Sequence, residues 1–377
     1  MSSSIVMYDR KLSNLIVAIG GSGIRECYQC GSCTAICPIS ENFSVSFRKT
    51  IKYAQLGLEK KMASDLTPWI CYACGECSNS CPRDANPSAL MMAFRRYLTI
   101  KYDWTGISRI LYLSKKAELT AIFLLALIVG LGMYLFHGPI ITDEVALETF
   151  APFEFVLTAG LVILFILAVI LIGNIYRMYK FTVGNLKIPL SVKLKELIKS
   201  LPIHFLTQKL FKYCTDKKYW RTHLLIFYGI LLIIIGYTAL FVLFVILLHY
   251  TPTDATYLLT KRIMGIALSI TILYGTMTII KDRIKKTKPL WKISHLTDWT
   301  FIILLVVVIA SGFLTGIFRI LDLPLATYIT YTFHLMVAAP LLILEVGFLK
   351  GASHVYRLFA LYFTRLNELK SKGVGNI

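Results

Sequence analysis

Polar and apolar positions divide the chain near residue 115. Before it, charged and apolar residues are mixed. After it come apolar runs at roughly 119–136, 152–175, 223–248, 262–280, 299–318 and 328–349. Each approaches or exceeds the length a helix needs to cross about 30 Å of hydrocarbon. The pattern predicts a small α-helical domain followed by an all-α transmembrane bundle of six helices, with both chain ends on one side. In the first part, FSVSFRKTIKYAQLGLEKKM (43–62) has apolar and basic positions at helical spacing and predicts one helix ending near Ser64 and Asp65. NPSALMMAFRRYLTI (86–100) predicts a second, with Pro87 in its first turn. The aromatic and basic linker 101–117 is expected at the membrane surface.

Composition and charge sharpen this picture. The 377 residues are 56% hydrophobic and only 16% charged, whereas soluble domains run near 25% charged. A disordered chain, a collagen-like fibre and an ordinary soluble enzyme are excluded. The net charge of +19 at first suggests a nucleic-acid partner. The basic residues are instead concentrated between apolar runs: 176–221, 281–297 and 350–377 hold 11, 6 and 5 Lys or Arg. The opposite loops hold only Lys261, Arg262 and Arg319. The positive-inside rule then places both termini and the N-terminal domain of this multi-pass protein on the cytoplasmic side of a cell membrane. No nucleic-acid partner is expected. The N-terminal MSSSIVMYDRKLSN has no apolar h-region, so no cleaved signal is expected.

Eight of the nine cysteines form two runs, Cys27-x2-Cys30-x2-Cys33-x3-Cys37-Pro38 and Cys71-x2-Cys74-x2-Cys77-x3-Cys81-Pro82. Three thiolates spaced in this way wrap one corner of an iron–sulfur cube, and in two-cluster ferredoxins the fourth ligates the other cluster. Cys27, Cys30, Cys33 and Cys81 are therefore the expected ligands of one 4Fe–4S cluster, and Cys71, Cys74, Cys77 and Cys37 of the second. The fold class expected is a small α-helical two-cluster ferredoxin-like domain ahead of the bundle. The duplicated run argues against zinc, and a cytoplasmic setting argues against disulfides. Gly31 and Gly75 are expected where backbone passes close to inorganic sulfur. Cys214 is isolated in a basic loop and is read as an unpaired thiol.

Ionisable groups at membrane depth are functional candidates, and imidazole is a usual axial ligand of haem iron in helical bundles. His223 opens the third span and His354 lies just past the sixth, at a shared depth, so the pair is read either as bracketing an inner haem b or as two ordinary interfacial histidines. His334, inside the sixth span towards the outer face, has His249 as candidate partner for a second haem. His137 is the other outer candidate. His137, His249 and His295 also fit as interfacial residues without a ligand role, and His204 is read as a loop residue. Glu345 is read either as a proton or quinol contact or as a side chain snorkelling to the interface. Asp298 is read as a helix cap.

RECYQCGSCTAICP (25–38), FRKTIKYAQLG and CYACGECSNSCP (71–82) resemble the ferredoxin-like C subunit of heterodisulfide reductases. RTHLLIFYG (221–229) and SHVYR (353–357) make the membrane part similar to the cytochrome b subunits of those reductases and to the gamma subunit of respiratory nitrate reductase. That family has five spans, so the first span here is expected to be an extra tether. The implied divisions are 1–100, linker 101–117, the extra helix and outer loop 118–151, a five-helix cytochrome b-like domain 152–354, and a tail 355–377. By this resemblance His223 and His354 fall on the inner haem pair and His334 on one outer ligand. Ile233 stands where the nitrate-reductase form has the other outer histidine. His334 and His354 are two residues further apart than in that family, which implies a kink at Pro340, Gly347 or Gly351. The resemblance implies an electron-transfer subunit in which haem b exchanges electrons with a membrane quinone or phenazine. The two clusters would relay them to or from a soluble cysteine-rich catalytic subunit on the cytoplasmic side. No residue looks like an acid, base or nucleophile for sulfur chemistry, so the chain itself is expected to be non-catalytic. The same parts fit a quinone-linked glycolate, lactate or fumarate oxidoreductase, or, without haem, a membrane-anchored iron–sulfur protein.

Overall fold

The computed structural model describes residues 8–41, 43, 45–184, 188–202, 207–208, 217–249 and 254–372. Cys214 and His204 lie outside the described residues. The N-terminal domain is built from short helices: α1 (Leu12–Ala18), α2 (Ser32–Ala35), α3 (Phe47–Gln55), α4 (Glu59–Ala63), α5 (Thr67–Ile70), α6 (Glu76–Asn79) and α7 (Pro87–Tyr102). Each cysteine run closes in one short helix, α2 or α6, entered through a glycine in the left-handed region. Gly31 has φ +91° and Gly75 has φ +98°, a backbone state that a side chain makes costly. The two loops are thus conformational repeats as well as sequence repeats.

The single helix expected over 43–62 is instead two, α3 and α4. Gly57, at φ +66°, breaks the run. Its left-handed backbone ends α3, and the Leu58 amide turns back to the Tyr53 carbonyl at 2.8 Å. Ser46 caps α3 by accepting from the Lys49 amide. The second expected helix is α7, capped by Asn86, whose side chain accepts from the Ala89 amide, with Pro87 at its first position. The linker forms α8 (Ile107–Leu113), whose Ser108 hydroxyl donates to the Phe348 carbonyl in the membrane part.

Among the described residues, six helices are long and apolar enough to cross a membrane. They are α9 (Lys115–Phe136), α11 (Phe153–Thr182), α13 (Lys217–Phe241, prolonged by a π-helical turn Val242–Leu247), α14 (Ala255–Ile284), α16 (Leu296–Ile320) and α17 (Pro324–Pro340, prolonged by a π-helical turn Leu341–Val346). Short α10 (Leu147–Phe150), α12 (Leu190–Leu201) and α15 (Pro289–Lys292) lie between them, and α18 (Ala352–Ser371) closes the chain. Helices α13, α14, α16 and α17 pack side by side in that order, and α9 lies on α17. The irregularity expected in the last span is present: the α-helix gives way at Pro340 to a π-helical turn, and α18 starts afresh at Ala352.

One buried core runs from the N-terminal domain into α18. Trp69 of α5 lies with its ring 5.2 Å from Tyr356 of α18 and 6.4 Å from Tyr102 of α7. Residues 355–371, read from the sequence as a tail, continue α18 and bury Tyr356, Arg357, Leu361 and Phe363 in this core. The N-terminal domain therefore sits on the end of the bundle that carries the basic segments 281–297 and 350–371.

Candidate functional site

The cysteines are interleaved across the two runs. Cys33 has Cys27, Cys30 and Cys81 as its electrostatic neighbours, and Cys27 has Cys81 and Cys30. Cys37 faces Cys71 and Cys74 from the other run, and Cys77 faces Cys71, Cys74, Cys33 and Cys37. Cys37, Cys71, Cys74 and Cys77 line one small cavity with Phe47 and Ser88. No disulfide joins any of the eight. Among the described residues, no three His, Cys, Asp or Glu side chains converge at the spacing of a single metal ion. In a four-iron cluster each sulfur binds a different iron, so its ligands stand further apart than that. Burial pushes the Cys33 and Cys37 thiols up to about 11 and raises Cys71 and Cys77 as well. Thiols placed this way become thiolates only beside a strong positive charge, which the iron of a bound cluster would supply.

Two guanidinium groups hold the second cysteine loop against the membrane part. Arg95 of α7 donates through Nε to the Pro68 carbonyl at 2.7 Å and through Nη2 to the Cys71 carbonyl. Arg357 of α18 donates to the Trp69 carbonyl at 3.1 Å and to the Cys71 carbonyl at 3.3 Å. Its guanidinium also covers the Tyr72 ring at 4.1 Å. His354 is one turn before Arg357 on the same helix.

His354 faces His223 of α13. Their ring centroids are 6.1 Å apart and the rings are 21° from parallel. Two imidazoles at this separation would leave room for one metal ion held by a nitrogen from each, at metal–nitrogen bonds of roughly 2 Å. His223 Nδ1 is 2.9 Å from Gln208 Oε1. A side-chain acceptor on one ring nitrogen fixes the tautomer that leaves the other as a ligand. Burial, then the Arg357 charge, holds His354 down at about 4, so its imidazole is neutral near pH 7, the ligating form. The cavity around the pair is also lined by the cations Arg95, Arg283, Lys350 and Arg357 with one acid, Asp298, a setting suited to a ligand bearing carboxylates. The cavity is a slot of about 100 Å³.

The outer histidines are placed differently. His334 lines a separate cavity of about 380 Å³ with Ile233, Tyr237, Lys261, Arg319 and Tyr331. Its Nδ1 is 3.0 Å from the Val308 carbonyl and 3.1 Å from Ser311 Oγ. Ile233 thus shares that cavity with His334, as an apolar residue. His249 is not among the residues lining it; it follows the π turn of α13 with φ +56°. His137 contacts the Gly138 carbonyl at 2.7 Å and stacks on Phe150. His295 caps α16 in a reciprocal box with Asp298.

Two buried networks escape the sequence pattern. Arg96 Nη2 of α7 meets Asp298 Oδ2 at 2.5 Å, and Lys350 Nζ meets Asp298 Oδ1 at 3.0 Å. Asp298 is therefore both the expected cap and the docking point of the N-terminal domain. Glu118 of α9 and Glu345 both reach Thr300, so the first span is a packed member of the bundle rather than only a tether. The tandem Arg95–Arg96 in an otherwise apolar helix was the available signal for the first network. An acid one turn inside an apolar run was the signal for the second.

Residues 23–85 match a family model described as a 4Fe-4S dicluster domain. A protein of Archaeoglobus profundus, named as similar to the C subunit of heterodisulfide reductase, is 36% identical over 95 residues, covering 25% of this chain and 50% of that protein. The C subunit of the H(2):CoB-CoM heterodisulfide,ferredoxin reductase of Methanothermobacter marburgensis is 39% identical over 62 residues, 16% of this chain and 34% of that protein. Its counterpart in Methanothermobacter thermautotrophicus is 37% identical over 62 residues, with the same coverage. The chain thus spans a third to a half of the curated relatives it matches. It joins an iron–sulfur domain similar to the C subunit of heterodisulfide reductases to a bundle of six membrane-length helices.

Proposed function

We propose that the chain is a membrane-anchored, non-catalytic electron-transfer subunit. Cys27, Cys30, Cys33 and Cys81 hold one 4Fe–4S cluster, and Cys71, Cys74, Cys77 and Cys37 hold the other. His223 and His354 hold one haem b, whose propionates meet the cations of the slot. His334 and His249 stand in separate surroundings, so the proposal counts a single haem. The cavity of His334, with Lys261, Arg319 and two tyrosines, takes the ring of a membrane quinone or phenazine. The cluster domain, on the basic end of the bundle, faces the cytoplasm and docks a soluble cysteine-rich catalytic subunit of heterodisulfide reductase type.

The observation that carries this reading is Arg357. One side chain bonds the Cys71 carbonyl and covers Tyr72, one turn from His354, so the second cysteine loop and the histidine pair share a single rigid connection. The same relay serves a quinone-linked organic-acid oxidoreductase, and only the soluble partner distinguishes the two. The test is anaerobic addition of a reduced quinol or dihydrophenazine analogue to the oxidised, purified chain, followed optically and by electron paramagnetic resonance. Reduction of both a b-type band and the cluster signals supports the relay. A protein in which neither responds, though dithionite reduces both, contradicts it.

A further inference from the structure

The end of the bundle beneath the N-terminal domain holds a constellation that this electron path leaves unused. Glu118 lies in the first turn of α9, Thr300 near the start of α16, and Glu345 in the π turn after α17. Both glutamates are fully buried, 0% exposed. Thr300 Oγ1 stands 2.5 Å from Glu118 Oε1, 3.2 Å from Glu345 Oε1 and 3.4 Å from the Leu296 carbonyl oxygen. A hydroxyl has one hydrogen to give. It satisfies one of these three acceptors, and a second carboxyl contact is bonding only when the carboxyl brings its own proton.

The surrounding charges do not remove that need. Asp298 faces Glu118, while Tyr112 of α8 and Lys350 face Glu345. Lys350 gives Glu345 Oε2 its backbone amide at 3.3 Å, but its ammonium is turned to Asp298, as is Arg96, with Arg283 also nearby. Glu118 Oε2 is buried without a partner. Two buried carboxyls sharing one hydroxyl and lacking a cation of their own do not both ionise.

We propose that Glu118, Thr300 and Glu345 form a proton-binding site that takes up one proton when the adjoining histidine-pair slot receives one electron. Lys350 and Asp298 line that slot and touch or face the glutamates, so charge added in one is felt in the other. The electron comes from a reduced iron–sulfur centre or quinol and raises the negative charge of the slot by one. One proton from water joins the carboxyl pair as a new O–H bond and leaves on reoxidation. The redox half of this inference rests on the proposed haem; the resting protonation does not.

Infrared spectra of the full-length wild-type protein in lipid, taken in H2O and D2O at pH 7, test it. A protonated-carboxyl C=O band that shifts down in D2O is expected, diminished in both Glu118→Gln and Glu345→Gln and displaced in Thr300→Val. On reduction the band should grow, and the wild-type midpoint should fall by up to about 59 mV per pH unit, one electron against a tenfold change in protons. The same slope should flatten in the variants. A wild-type protein without the band, or a band unchanged in the variants, overturns the site; if a glutamine variant does not fold, the wild-type and Thr300→Val spectra decide. A resting band with the expected isotope and variant behaviour, in a protein with no redox centre at the histidines, overturns the coupling and the haem, and upholds the proton site.

Discussion

His295 shows how one residue ties local structure to its surroundings. Its Nδ1 accepts from the Thr297 amide, 3.3 Å away, and its own amide donates to Asp298 Oδ2 at 3.3 Å, closing the box that starts α16. Burial, followed by the Arg96 charge, holds the ring down at about 4, against about 6.5 in an unfolded chain. Between those values the unfolded state binds the proton and the folded state does not, so stability falls as pH drops from 6.5 towards 4. His295→Asn keeps a capping side chain and loses the titration. Thermal unfolding of the variant should decline less steeply than wild type across that window, and an identical decline would contradict the assignment. Side chains of this kind were partly legible. The cysteine spacings are local and stand in the sequence, whereas the cap role of His295 depends on a neighbour three residues on that also answers Arg96, some two hundred positions away.

Between elements, the decisive contact joins α7 to α16. Arg96 is 6% exposed and Asp298 7%, so this pair is a buried one, where removing a single partner strands the other charge. Arg96→Met should cost about 3 kcal/mol, the lower end for breaking a buried pair, because Lys350 still holds Asp298. The expected consequence is a cluster domain that releases from the bundle first. Limited proteolysis should cut near 101–114 in the variant under conditions where wild type resists, and equal resistance would show that the core around Trp69 docks the domain alone. At this scale the sequence pattern found the six spans but started most of them several residues late, and drew the sixth past its end at Val346. The helices run on through polar turns such as 176–182 and 217–222, where packing on α18 and α14 replaces lipid. The pattern merged α3 with α4 because helical spacing continues across Gly57, while the backbone sign there is visible only in three dimensions.

At the scale of the whole molecule, two modules with different chemistry share one core, and the cysteine loops stand directly on the histidine-bearing end of the bundle. The resemblance paired His223 with His354, whose rings lie 6.1 Å apart. It did not place Glu118, because the first span lies outside the part of the chain that the resemblance covers. The central claim is a single relay of two clusters and one haem in one polypeptide. Its most direct test is a dithionite-reduced minus oxidised optical spectrum of the purified chain, with haem, non-haem iron and acid-labile sulfide counted on the same sample. One b-type haem accompanied by iron and sulfide in the amounts of two four-iron clusters per chain is the predicted result. Iron and sulfide with no b-type band, in protein purified without haem loss, would contradict it and leave the bundle as an anchor.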